Sequence, residues 1–383
     1  MKAGRKPGPR LDRPVAATSP SRDRYVDFLR ALSITVVVGG HWISALVGWR
    51  DGVLDARNAV GVIPGTSYVT WVLQVMPLFF FVGGFSNYKS FEGTQRRGES
   101  VLQFYRKRLI RLLMPTGVFV WFWIMVAIGL NLAGTFTSHH LSSARVLFGP
   151  LWFLLVYLGI VTLTPITYWF HRHYGAAVPV VLVLLVAGVD AIRFLFNVKD
   201  VGWANLVFVW MFVHQLGYLY ADGTLTRFRR SGHLAMALSG LAVLFILTSL
   251  AWYPKSMVST GFEKASNMTP PTVCIVALTL WLVGVSMFVR DWVSRWLTRP
   301  GPWKTVVAAN SMIMTIYLWH ITAYAVTFAV LTAVGFAGSP PGSGRWWLER
   351  SIWLVGPGLV LSLLLAVFSR FERPTLRPRS AVD

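Results

Sequence analysis

Apolar residues run through this chain in blocks of about 20, each long enough for a helix to cross a hydrocarbon core roughly 30 Å thick. The blocks lie near 30–49, 67–86, 112–131, 151–170, 176–195, 202–220, 233–252, 271–289, 305–334 and 351–369. This pattern predicts an all-α integral membrane protein, a bundle of ten transmembrane helices. The ninth block is too long for one perpendicular crossing, so it should tilt strongly or break. Around His171, Arg172 and His173 the link between the fourth and fifth blocks is very short, which predicts antiparallel neighbours.

The charges between the blocks set their direction. Seven basic residues, Lys2, Arg5, Lys6, Arg10, Arg13, Arg22 and Arg24, precede the first block, whereas the next loop holds only Arg50 and Arg57, balanced by Asp51 and Asp55. The second loop is again basic, with Lys89, Arg96, Arg97, Arg106, Lys107, Arg108 and Arg111, and the third offers only Arg145. The alternation continues through Arg227, Arg229 and Arg230, then Arg290, Arg295, Arg299 and Lys304, then Arg370, Arg373, Arg377 and Arg379. Lysine and arginine collect in cytoplasmic loops, so both termini are expected in the cytoplasm of a multi-pass cell-membrane protein.

Composition agrees with that picture. Of 383 residues 55% are hydrophobic and only 13% charged, with a mean hydropathy of +0.55, which excludes a soluble enzyme and a disordered chain. In this setting a formal charge of +21 follows from basic loops and gives no reason to invoke nucleic acid. The single Cys274, inside an apolar run, excludes an intramolecular disulfide and a cysteine zinc site. Residues 1–24, rich in Arg, Pro and Ser, are expected to be a disordered basic cytoplasmic tail rather than a signal peptide. Residues 25–370 form the membrane domain, and 371–383 a short cytoplasmic tail with no further domain.

Ionisable side chains at membrane depth are costly and point to function by default. Acids are nearly absent, Asp190 beside Arg193 being the clearest, which argues against a proton-driven transporter. In the first block Arg30 and His41 are eleven residues apart, three helical turns plus roughly 20° and a rise of about 16 Å, so they share a face. Arg30 would lie at headgroup level and His41 near mid-membrane, a spacing that suits a long ligand with an anionic head and a reactive tip. The competing reading is a snorkelling arginine and a histidine that bonds a neighbouring helix. Arg108 and Arg111 share a helix face and could clamp phosphate groups, or could be ordinary positive-inside charge.

Other candidates carry the same ambiguity. His320, preceded by Asn310, Ser311 and Tyr317, should reach a depth close to His41 or bond a neighbour; His214 reads more simply as structural. Gly83 and Gly84 allow close approach of a backbone or ligand. Trp152 and Tyr157 fit an interfacial aromatic belt. His139 and His140 have no third ligand, so no metal site is expected.

Together the strings "VDFLRAL" with Asp27, Arg30 and His41, then "FFFVGGF", "FYRKRLIRLLMP", "LWFLLVY" and "IYLWH" resemble the membrane-bound acyltransferase-3 family over roughly residues 24–370. The resemblance implies transfer of an acyl group, often acetyl, from acyl-CoA to a hydroxyl of an envelope sugar, polysaccharide or glycolipid. It implies an O-acyltransferase with acyl-CoA as donor substrate and no permanently bound cofactor. His41 and Arg30 match the family's essential pair, and Arg30, Arg108 and Arg111 would hold the donor. Asp27, Trp152, Tyr317 and His320 are possible supporting residues. The chain departs from the family at Gly83, where many members have serine; a hydroxyl role there would be lost or moved to Ser86. It also has no appended hydrolase-like domain, so transfer should finish at the membrane domain. His41 could serve as general base or become transiently acylated. The rival functions are a transporter or flippase of lipid-linked glycans, which would favour inverted repeats, and a non-catalytic scaffold.

Overall fold

The computed structural model describes residues 22–50, 53–135, 144–250, 252–260, 266–336 and 338–372. Most of the predicted N-terminal tail, His139 and His140, and residues 373–383 lie outside that set. Thirteen helices organise the fold: α1 (Arg24–Ser44), α2 (Met76–Arg96), α3 (Val101–Leu132), α4 (Leu151–Thr162), α5 (Thr164–Tyr174), α6 (Ala177–Leu195), α7 (Asn205–Ala221), α8 (Arg230–Ser249), α9 (Val273–Trp296), α10 (Pro300–Asn310), α11 (Ile313–Ala333), α12 (Gly344–Glu349) and α13 (Ile352–Phe368). Between α1 and α2 lies a two-stranded antiparallel hairpin, β1 (Ala45–Arg50) and β2 (Val53–Asn58), paired from Ala45↔Asn58 to Arg50↔Val53.

Helix α1 begins six residues before its predicted block because Asp23 caps it, its carboxylate accepting from the Tyr25 and Val26 amides at 2.9 and 3.1 Å. It stops at Ser44, and the apolar residues that follow form β1 instead of more helix, so the predicted first span ran too far. His41 therefore stands in the last turn of α1, about 26 Å along it from Arg24 at 1.5 Å per residue.

Helices α2 and α3 extend well past their apolar blocks into the predicted basic loop, which shrinks to the turn between Arg96 and Val101. Charged side chains there are paired: Glu92 with Lys89 and Arg96 at 3.7 and 3.1 Å, Glu99 with Arg97 and Lys107 at 2.9 and 2.7 Å. Ser100 and Gln103 close a reciprocal capping box that starts α3.

The ninth block breaks, as its length predicts, at Ser311 and Met312 between α10 and α11. The fourth block also breaks, at Leu163 ahead of Pro165, which was not expected. The short link into α6 is a turn at Gly175, φ +51°, and α5 and α6 are in contact. Among the described residues nine helical segments are long and apolar enough to cross a membrane. The sixth predicted span, α7, has 17 residues and is not one of them, although most of it is buried. The chain is a helical, multi-pass membrane protein.

Among the described residues three apolar clusters share the bundle, the smallest around Tyr88, Phe104 and Tyr168, and the two larger ones meet along α1. The first half of α1 (Tyr25, Val26, Leu29) packs with α2, α7 and α9, where Phe80 stacks on Trp210 with ring centroids 4.3 Å apart. Its second half (Ile34, Val38, Trp42) packs with α3, α11 and α13, where Trp319 stacks on Phe368 at 4.0 Å. The buried Asp190 lies in the first cluster, accepting from Asn205, Tyr253 and the Val273 amide at 2.9, 3.1 and 2.8 Å. It ties α6, α7 and α9 together and is not part of the site described next.

Candidate active site

A cleft with about 840 Å³ of empty space, its open mouth included, runs between α1, α2, α3, α4 and α11. One end holds Arg30, Ser86, Arg108 and Arg111; the walls further in are Ile34, Phe79, Gly83, Phe153, Tyr157 and Tyr317. Along α2 the lining from Ser86 to Phe79 spans about 10 Å, so the cleft is a slot with a cationic end and an apolar, aromatic throat.

The three arginines reach this cleft from two helices, Arg30 from α1 and Arg108 and Arg111 from α3. Arg30 is bonded to Asp27 one turn earlier on α1 at 2.9 Å, donates to the Ser86 hydroxyl at 2.7 Å and to Asn310 Oδ1 at 3.4 Å. Asn310, the last residue of α10, donates in turn to the main-chain carbonyl of Asp27 at 2.8 Å. The break between α10 and α11 thus serves to hold the base of Arg30. Asp27 also pairs with Arg22, so one carboxylate is shared by two guanidinium groups. Arg108 donates to the Ser86 carbonyl, while its buried Nε has no partner among the described residues. Arg111 makes no hydrogen bond or ion pair among them and is exposed to the cleft mouth. Positive charge therefore exceeds negative at this end, an arrangement suited to a polyanionic group.

His41 and His320 meet. Their Nδ1 and Nε2 atoms are 2.9 Å apart, with rings stacked at a centroid distance of 5.1 Å and 21° between planes. Trp42 locks the two helices at the same level by donating to the His320 carbonyl at 3.0 Å. His320 is fully buried, and its Nδ1 lies 2.6 Å from the Tyr317 carbonyl, which can only accept. A neutral His320 thus carries its proton on Nδ1 and offers a lone pair at Nε2. That lone pair accepts a hydrogen bond from the Nδ1–H of His41, which leaves Nε2 of the exposed His41 unprotonated with its lone pair free.

The remaining predicted residues divide. Asp27, Tyr317 and His320 join the site, Tyr317 as both cleft wall and hydrogen-bond donor to the Pro150 carbonyl. Trp152 does not: it is 39% exposed and lines neither this cleft nor the second one described below, because Phe153, Leu154 and Tyr157 are the α4 residues on the inner face. Gly83 is explained by Tyr157, whose ring would sit 2.6 Å from any Cβ at that position. Ser86 carries the only α2 hydroxyl in the lining and holds Arg30. Gly84 and His214 are structural, a Cβ at Gly84 meeting the His214 carbonyl at 2.1 Å, and Asn87 donates to His214 at 3.0 Å.

One residue went unnoticed in the sequence. Glu372, just past α13, accepts from the Met314 and Thr315 amides at 2.9 Å each and from the Thr315 hydroxyl at 2.8 Å. It caps the positive N-terminal end of α11, whose next residues line the cleft. A lone acid in a basic terminal stretch was the available signal.

The profile of the acyltransferase-3 family, described as an acyltransferase domain, matches residues 23–370, nearly the whole chain. The chain belongs to that family. It is therefore a membrane acyltransferase, and the resemblance carried by the Arg30–His41 spacing and the four other strings holds across the full domain. Neither a curated protein nor a solved structure matches it.

Proposed function

We propose that this membrane acyltransferase moves an acyl group, acetyl foremost, from acyl-CoA to a hydroxyl of an envelope carbohydrate or glycolipid. The observation that carries the reading is that the cationic slot and the histidine pair share α1 and α11: Tyr317 lines the slot, and His320 is one turn beyond it.

In this reading the ten-span topology has both termini in the cytoplasm, supported by the alternation of basic loops. The slot mouth then faces the cytoplasmic donor. The nucleotide end of acyl-CoA is held by Arg30, Arg108 and Arg111, and the thin pantetheine arm runs along the throat toward the histidine pair. The Tyr317 carbonyl orients His320, and His320 orients His41, so that His41 Nε2 is the basic atom. It accepts the proton of the acceptor hydroxyl as that oxygen attacks the thioester carbonyl. The carbon–sulfur bond then breaks, and the departing CoA sulfur takes the proton back from His41. The products are an O-acyl ester and free CoA, and the histidine returns to its starting state.

The test is transfer of labelled acetyl from acetyl-CoA into envelope glycans and glycolipids by membranes containing the protein, beside an equally expressed His41→Ala variant. Label that appears with the wild type alone supports the reading. Absence of label with native acceptors and longer acyl-CoAs also supplied would overturn it and favour a transporter.

A further inference from the structure

The histidine pair is flanked on its other side by a second and larger cavity, of about 1060 Å³ of empty space, between the β1–β2 hairpin and α11, α12 and α13. The slot ends at Ile34 on α1 and this cavity begins at Ala45, the first residue of β1, with His41 between them. On α11 the slot ends at Tyr317 and the cavity begins at Tyr324, with His320 between them. Both helices thus place the reactive imidazoles at the boundary of the two spaces, one helical turn, about 6 Å, from the second.

The chemistry of this cavity differs from that of the slot. Aromatic side chains dominate: Tyr324 stacks on Trp353 at 4.9 Å, Phe328 on the same indole at 6.3 Å, and Phe336 meets it edge-on at 6.4 Å. Arg350 lies 4.1 Å over the Trp346 ring and is held by the Ile43 and Ala45 carbonyls, both at 3.4 Å, so it pins the hairpin to α12. Arg57 reaches in from β2, and no carboxylate lines the cavity among the described residues. Trp353 is 94% buried, yet its Nε1–H, a donor only, has no acceptor among the described residues. That nitrogen is closed off by the surrounding rings, so an incoming oxygen recovers the cost of the missing bond only once those rings give way.

We propose that this cavity is the acceptor subsite, and that it holds a hydroxyl-rich sugar ring with the hydroxyl to be acylated turned toward His41. The inference rests on the functional reading above. The weakly positive C–H face of a sugar ring sits on the negative face of an aromatic ring. Once the neighbouring rings give way, the Trp353 N–H donates to a ring or hydroxyl oxygen, and the arginines donate to oxygen-rich or anionic substituents. A plain hydrocarbon chain would use neither the N–H nor the arginines. Gly48 of β1 lines the cavity with open space around its missing Cβ, so a large side chain there would fill the volume rather than break a contact.

Retention of a total glycan and glycolipid extract of the native envelope by the immobilised full-length protein is read first, without donor. The wild type is expected to retain it, Gly48→Trp to lose retention, and Trp353→Phe, which keeps the ring and removes the N–H, to weaken it by about tenfold. Equal retention by Gly48→Trp, no retention by the wild type, or equal retention of a plain phospholipid would overturn the proposal. Acetyl transfer is read second. The same two variants should raise KM for the acceptor and leave KM for acetyl-CoA in place; a rise confined to acetyl-CoA would overturn the assignment. Specific retention without any transfer would leave the subsite standing and refute the acyl-CoA reading instead.

Discussion

The two halves of this bundle are built on opposite principles. In one, α2 meets α7 and α8 meets α9 through glycines set against main chain. A Cβ on Gly217 would lie 2.1 Å from the Phe81 carbonyl, and one on Gly240 or Gly284 within 2.6 Å of a main-chain nitrogen. Nothing can enter there. In the other, around α1, α3, α4 and α11, side chains hold the helices apart, and the space between them contains the arginines and ends at Ile34 and Tyr317, short of the histidines. Helix α2 belongs to both: its Gly84 face is pressed onto α7, and its Phe79, Gly83 and Ser86 face forms a slot wall. The close-packed half fixes the wall, and the open half uses it.

That contrast is broken most severely at the glycines. Gly217→Ala should lose well over about 2 kcal/mol, because two backbones must separate to admit one methyl group. Thermal unfolding in detergent should show a midpoint many degrees lower or no folded protein. A midpoint within a degree or two of wild type would mean that the halves do not differ in rigidity. His320→Ala should leave folding intact and lower kcat by about a hundredfold, since His41 loses the partner that fixes its tautomer and orientation. Retained turnover would remove the relay through Tyr317. Arg111→Gln should raise KM for acetyl-CoA by about tenfold with kcat kept, the size of one charge-assisted hydrogen bond. A fall in kcat alone would place Arg111 nearer the chemistry than the slot mouth.

The smallest effect is expected at the α2–α3 turn, remote from both halves. There Arg97 and then Lys107 hold the Glu99 carboxyl down to about 2 from its usual 4.5. The pair therefore supports the fold above the unfolded value, and its contribution is lost as pH falls from there through about 2. Being exposed, it is weak, and Glu99→Gln should shift the thermal midpoint slightly at neutral pH and not at all at the acid end.

How much of this was legible in sequence follows from the same physics. Apolar block length found nearly every long helix and the break in the ninth, because burying backbone in hydrocarbon leaves few alternatives to a helix. Helix ends were misjudged where charge is paired or snorkels: α1 starts early on Asp23, and α2 and α3 continue through residues such as Arg96 and Arg108 that lower hydropathy without ending a helix. Strand β1 was invisible because its apolar residues read as the end of the first span, and β2 fell in the predicted first loop. His41 and His320 were identifiable as polar side chains at depth, and Arg30, Arg108 and Arg111 by their spacing and the family resemblance. The meeting of His41 and His320, the Asn310 brace and the Glu372 cap join positions 57 or more residues apart, and no local pattern encodes them. Trp152 was named from its place in a string that resembles the family, whereas the helix face decides which rings line the slot.

The central claim is that the slot binds the donor and His41 performs the chemistry. Steady-state acetyl transfer over a range of acetyl-CoA concentrations, wild type against His41→Gln, tests it most directly. The account predicts that His41→Gln loses about 10²–10⁴-fold in kcat, the usual size of a general-base contribution, while acetyl-CoA still binds with near wild-type affinity. Transfer by His41→Gln at a rate within a few fold of wild type would contradict it.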